Sequence, residues 1–252
     1  MSPLKTARKT VMAYRDDPDL QFLSCISSEN LNPLVEILTK DKDGDGRWTE
    51  ELTKNELYKK FYPDHHRYWE VIAGEIQCFG ANSLATILRR GKGVLYKEIL
   101  CDVCDKMKVN YNNKAQTNII EQNLLMKVIE TSIDKMSQED IQNVVKELDL
   151  KVTDFSSQAV LFAIQSVIKN NVIFFSNLSS IVASSVTKTI LGTGSVIVVN
   201  SGLARLLTIF AGPIGIGLTE LWTFADIAGP AYRVTIPVVI LISYLRSTLA
   251  TK

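Results

Sequence analysis

Asp41, Asp43 and Asp45, with Gly46 directly after them, place carboxylates at alternate positions ahead of a glycine, as a calcium loop does. Such a loop closes with a bidentate Glu at its twelfth position. Counted from Asp41, that position is Leu52, and Glu51 comes one place early. One residue along a helix turns a side chain by about 100°, which carries the carboxylate away from the ion. The stretch therefore reads as a solvated Asx/Gly turn. A calorimetric titration is expected to find no calcium affinity tighter than about millimolar; micromolar binding that disappears in Asp41→Ala would overturn this.

Cys101-Asp-Val-Cys104 has the spacing of half a zinc site, but no second pair follows it. Cys25, Cys78, His65 and His66 could join only by folding back. The pair falls inside a helical pattern, where two small side chains at i and i+3 serve packing, so no metal or redox chemistry is expected there. Arg89-Arg90-Gly91-Lys92-Gly93 is basic and glycine-hinged, yet lacks the phosphate-loop pattern. Arg89, Arg90 and Lys92, with Arg205 and Arg233, are the weak candidates for contact with a partner or with lipid headgroups. Gly212, Gly215 and Gly217 do not have dinucleotide-fingerprint spacing and read as close-packing or hinge glycines. No triad, nucleophile elbow or kinase constellation is visible, so no catalytic residue and no cofactor is assigned.

The elements that carry these residues are helical. Leu31, Leu34, Val35 and Leu38 fall at i, i+3, i+4 and i+7, behind Ser27 or Ser28 as a cap. Asp17-Pro18-Asp19 reads as a helix start, and Trp48-Thr49 lead into a helix running to about Phe61, with Thr53 and Glu56 as a capping box for its later part. Trp69, Ile72, Ala73 and Ile76 mark a helix up to Gly80, and Asn82–Leu88 a short one. Leu95, Ile99, Val103 and Met107 mark the next, and Ile119–Met136 another. Ser137-Gln-Glu-Asp140 opens a helix bearing Ile141, Val144, Val145 and Leu148, and Asp154–Lys169 follows. Gly192–Val199, β-branched between turn residues, is the best strand candidate, though it would serve equally as a buried helix.

From Val172 to Leu245 the only formal charges are Lys188, Arg205, Glu220, Asp226 and Arg233. Each uncharged run is shorter than the ~20 residues a membrane span needs, and the first is diluted with serines. Gly212-Pro213 and Gly229-Pro230 would break a helix and leave backbone groups unpaired in hydrocarbon. Burial in protein and contact with lipid both remain open. The expectation is a chain that folds in water with this segment buried and meets membrane only peripherally or conditionally.

The chain has 252 residues and a net charge of +1, with 46% hydrophobic and 22% charged residues, a globular balance without the basic excess that nucleic acid requires. Four cysteines are sparse for this length, which fits reduced thiols and a cytoplasmic setting. The basic N-terminal residues lack a following apolar run, so no secretory signal is expected. Three regions are read: 1–62 with the Asp/Gly loop, a middle helical region 63–170, and an apolar region 171–252.

Tyr14-Arg-Asp-Asp-Pro-Asp-Leu20, Asn30-Leu-Asn-Pro-Leu34, Leu38–Gly44, Arg47-Trp-Thr-Glu-Glu-Leu52, Gly93–Val109 and Asp226–Pro237 together resemble the YaaW family of bacterial proteins over nearly the whole chain. Members are often filed, through the middle region, with ubiquinol–cytochrome c chaperones. The resemblance implies an assembly-factor role and transfers no catalytic residues. The resulting expectation is a mainly α-helical protein whose front part packs on an apolar C-terminal part. Its expected function is non-enzymatic, chaperone-like or scaffold, with a protein partner or conditional membrane contact at the periphery of the inner membrane and no nucleic acid. A soluble enzyme with an unrecognised site and a membrane-inserting effector are the alternatives, and oligomeric state is left open.

Overall fold

The computed structural model describes residues 14–40, 46–47, 50–80, 94–192, 197, 201–228 and 232–251, the side chains of 221–228 excepted. Asp41, Asp43, Asp45, Arg89, Arg90 and Lys92 lie outside the described residues, as do the expected helix at Asn82–Leu88 and the break at Gly229-Pro230. The described residues form helices and no strand beyond an isolated antiparallel bridge between Lys40 and Gly46. Of the strand candidate at Gly192–Val199, only Gly192, which caps a helix at φ +73°, and the buried Ile197 are described.

The front helices begin where local capping chemistry places them. Ser27 accepts from the Asn30 amide and opens α1, Ser28–Thr39, whose expected stripe Leu31, Leu34, Val35 and Leu38 is buried. Helix α2, Glu56–Phe61, is capped by Asn55 through the Leu57 amide at 2.9 Å. Thr53 does not form the expected capping box. It turns back to Glu50, whose Oε2 accepts from the Thr53 amide at 2.8 Å and so closes a 3-10 turn over Leu52–Lys54. Helix α3, Trp69–Gly80, packs on α4, Tyr96–Lys106. A Cβ at Gly80 would lie 2.3 Å from the Ile99 side chain, so only glycine lets the end of α3 come this close. Helix α5, Thr117–Ile133, is followed by α6, Gln138–Glu147, opened by Ser137 as expected, and by α7, Ser157–Ile168, opened by Ser156.

The apolar region supplies three long helices: α8, Val172–Leu191, capped by Asn171; α9, Ala204–Ala228; and α10, Tyr232–Leu249. Helix α10 is buried continuously from Val234 to Leu245 and packs on α1, α3, α4, α5 and α8. A helix apolar all round needs cover on every side, and the front helices provide it. The serines and threonines that dilute α8 do not prevent its burial, because their hydroxyls stay inside the helix. Ser184 donates to Ser180 O at 2.6 Å, Ser185 to Ile181 O at 2.8 Å and Thr187 to Ala183 O at 2.8 Å. Ser179 and Ser247 meet at 2.7 Å between α8 and α10.

Helix α9 corrects one expectation. Gly212-Pro213 does not interrupt it: the helix runs through Pro213 unbroken. A proline removes its own amide and so deprives one carbonyl, that of Ile209, of its helical donor. The neighbouring turns keep theirs and hold the helix together.

Candidate functional site

Two places gather the chemistry of this chain: a buried polar frame, and the surface of α9. The frame begins with Arg246 near the end of α10. Its Nε lies 2.9 Å from Oε2 and 3.2 Å from Oε1 of Glu121 on α5, and its Nη2 donates to Asp19 O at 2.6 Å. The guanidinium rests over the Phe22 ring, 4.3 Å from its centroid. Tyr96, wholly buried at the start of α4, donates its hydroxyl to Glu121 Oε1 at 2.8 Å. Burial pushes the Glu121 carboxyl up, and Arg246 and the Tyr96 hydroxyl offset only part of that.

Asp17 completes the frame. The expected helix start at Asp17-Pro18 is instead a turn leading into a 3-10 helix, Gln21–Cys25. The Asp17 carboxylate is buried, and its Oδ2 accepts from the Tyr96 amide at 2.7 Å, capping α4, where Leu95 offers no side-chain oxygen. Gln77 on α3 grips the same segment, accepting from the Arg15 amide at 2.9 Å and donating to Arg15 O at 2.8 Å. The frame ties the N-terminal segment to α3, α4, α5 and α10, and it is closed to substrate.

The thiol pair gives a different picture. Cys104 is buried on the inner face of α4, where its thiol is pushed up to about 12 by burial, while Cys101 is half-buried. A metal ligand must be thiolate, which this setting disfavours. Among the described residues, no group of three or more His, Cys, Asp or Glu is gathered as a metal requires. His65 and His66 face different ways: His65 Nε2 lies 3.0 Å from Asn32 Oδ1 and its Nδ1 meets the Tyr68 hydroxyl, whereas His66 Nδ1 lies 3.1 Å from Ile26 O.

A further buried carboxyl sits apart from the frame. Glu75 on α3 is 1% exposed; its Oε1 accepts from the Glu51 amide at 3.2 Å, and its Oε2 has no partner among the described residues. Burial, with Glu50 and Glu51 close by, pushes it up to about 8.

Among the described residues, α9 is a long helix whose exposure does not match its composition. Ser201–Glu220 is long and apolar enough, by length and composition, to cross a membrane, yet only 28% of that stretch is buried. Leu206, Phe210, Ile214 and Leu218 recur every four residues and form its inner face. Ile214 and Leu218 line a small cavity together with Met107, Val128, Thr131 and Ser132. A Cβ at Gly215 would come within 3.3 Å of Thr189 Oγ1, so α9 lies tight on α8. The charges bounding its stretch from Arg205 to Glu220 are both paired: Arg205 with Glu147 of α6 at 2.8 Å, and Glu220 with Lys135 at 2.7 Å. Between them Thr208, Gly212, Ile216 and Thr219 face outward, with Leu207, Ile209, Ala211 and Pro213 half-exposed. Thus of the basic candidates Arg205 flanks this face, and Arg233 is exposed at the start of α10.

Known proteins match this chain along nearly its whole length. A UPF0174 protein of Helicobacter pylori strain J99 is 47% identical over 236 residues, 93% of both chains. The UPF0174 protein YaaW of Escherichia coli K12 is 34% identical over 236 residues, 92% of this chain and 95% of its own. The chain belongs to the UPF0174 family. A UPF0174 protein of H. pylori strain 26695 is 39% identical over 208 residues, 81% of this chain and 99% of its own. The ubiquinol-cytochrome C chaperone family model matches residues 64–240, from the 3-10 turn before α3 into α10. A domain of unknown function, DUF3944, matches 14–48, which holds Asp17, Asp19 and α1. No solved structure matches the chain.

The match to 64–240 includes Glu75, Tyr96, Glu121 and α9 but stops short of Arg246. The frame was missed in the sequence because its members lie up to 227 positions apart. One signal was available: Glu121 and Arg246 are single charges set in apolar stripes, and lone opposite charges in two core-facing helices are natural partners.

Proposed function

We propose that this protein is a non-enzymatic, chaperone-like factor that shelters apolar segments of a protein partner, working in the cytoplasm at the periphery of the inner membrane. The observation that carries this reading is the set of large apolar side chains left open along α7 and at the α7–α8 corner. Phe162 is 71% exposed, Ile173 64% and Val172 53%, with Phe155 also exposed just ahead of α7. Large apolar side chains left exposed along α7 and the start of α8 mark an interaction surface. The match to the ubiquinol-cytochrome C chaperone family supports a protein partner, and the closed polar frame offers no reacting group to a substrate.

The test is suppression of aggregation. A chemically unfolded model client diluted into buffer with the native chain is expected to scatter several-fold less light than the client alone. The double variant Phe162→Glu/Ile173→Glu should lose most of that protection while keeping native circular dichroism. Equal protection by the variant, or none by the native chain, would sink the reading.

A further inference from the structure

We propose that the outer face of α9 is a lipid-seating surface, on which the protein rests with the helix lying in the plane of a bilayer while still packed on α5 and α8. The proposal rests on the membrane-periphery part of the reading above and uses a different surface from the α7–α8 corner.

Length and composition let α9 lie in lipid, and its outward hydroxyls are already satisfied within the helix. Thr208 donates to Ala204 O at 3.0 Å and Thr219 to Gly215 O at 2.8 Å, so neither exposed hydroxyl needs water. The rest of the outward face is Gly212 and Ile216, flanked by the half-exposed Leu207, Ile209, Ala211 and Pro213. Between Arg205 and Glu220 it presents no charge.

Three features set the helix in the plane rather than across. The uncharged run Leu206–Thr219 extends about 21 Å at 1.5 Å per residue, short of the ~30 Å of a hydrocarbon core. Arg205 and Glu220 are both ion-paired to the body of the protein, so the two ends of the run are tied down. Pro213 leaves the Ile209 carbonyl without its helical donor. In hydrocarbon that carbonyl would stay unpaired, but at the depth of the headgroups it meets water.

Charge points the same way. Lys188 in the last turn of α8, Arg205 at the start of α9 and Arg233 at the start of α10 are exposed cations, and Arg205 lies at the end of this face. Glu220 is the one described acidic residue on the exposed part of α9, and Lys135 pairs with it. Anionic headgroups thus find cations at the rim, while the apolar middle supplies contact that does not depend on lipid charge.

The experiment is vesicle flotation of the full chain, followed by depth measurement. The native protein is expected to float with phosphatidylcholine vesicles and more strongly with vesicles containing phosphatidylglycerol. Ile216→Glu should reduce the bound fraction about tenfold on both, with an unchanged urea midpoint as the check on folding. Phe162→Glu should float like the native chain, which separates this surface from the client corner. An environment-sensitive dye on Ile216→Cys, in a Cys25→Ser background, should be quenched best by nitroxide near the headgroups. Flotation of Ile216→Glu equal to native overturns the surface, and strongest quenching at the bilayer centre overturns the in-plane seat. Absence of native flotation overturns the membrane reading and leaves the client reading to its own assay.

Discussion

Glu121→Ala is expected to destabilise the protein by about 3–5 kcal/mol, the range for removing one partner of a buried ion pair. Two groups lose a partner at once. The Tyr96 hydroxyl, wholly buried, loses the carboxylate that accepts from it at 2.8 Å. The Arg246 guanidinium loses the carboxylate 2.9 Å from its Nε and keeps Asp19 O and the Phe22 and Tyr96 rings. The cavity left by the side chain adds a smaller term. Because the pair joins α5 to α10, and α10 is the helix the others surround, the loss acts on the whole core. Urea unfolding should show a lower midpoint with an unchanged slope. Replacing both members, as Glu121→Leu/Arg246→Met, should cost clearly less than the sum of the two single changes, since no charge is then left buried alone. A loss below about 1 kcal/mol for Glu121→Ala would show that the pair does not hold the core.

Local sequence made the front helices legible for a physical reason. A cap acts over three residues, so Ser27, Ser137 and the stripes behind them carry their own evidence. Where capping failed to predict, a competing side chain took the amide. Glu50 reached the Thr53 amide, leaving Asn55 to start α2. Asp17 has the sequence of a helix start, but its carboxylate is drawn 79 positions along the chain to the Tyr96 amide, and no local window holds that information. Proline in α9 misled in the other direction, since its local cost is one carbonyl and tertiary packing on α5 and α8 meets it. The same limit applies to the candidate surfaces. Hydropathy marked 172–245 as one block, whereas folding divides it into α10 inside and α9 with an open face, and that division depends on which helices arrive to cover it.

Glu75 carries the other large expected effect, and it is one of pH. In the unfolded chain its carboxyl titrates near the ordinary 4.5; in the fold, burial first, and then Glu50 and Glu51, raise it to about 8. Lys54 pulls the other way, and the Glu51 amide stabilises the ionised form, but neither outweighs the loss of water around a side chain that is 1% exposed. Between these two values the native state holds a proton that the unfolded state has released. Stability must then fall as pH rises, because the slope follows the protons bound in the unfolded state minus those bound in the native. The contribution is fully present below about pH 4.5 and gone above about pH 8, and across pH 5 to 8 it amounts to about 3 kcal/mol. Glu75→Gln keeps the shape and the acceptor for the Glu51 amide but cannot ionise. The variant is therefore expected to unfold with a nearly pH-independent midpoint across this window, and to be the more stable protein at pH 8 by a similar amount. Urea titrations of both proteins at pH 5, 6.5 and 8 decide it. Parallel pH profiles would mean that Glu75 titrates in the fold as it does in water, so that the gap around its Oε2 is already filled by a donor that holds the charge.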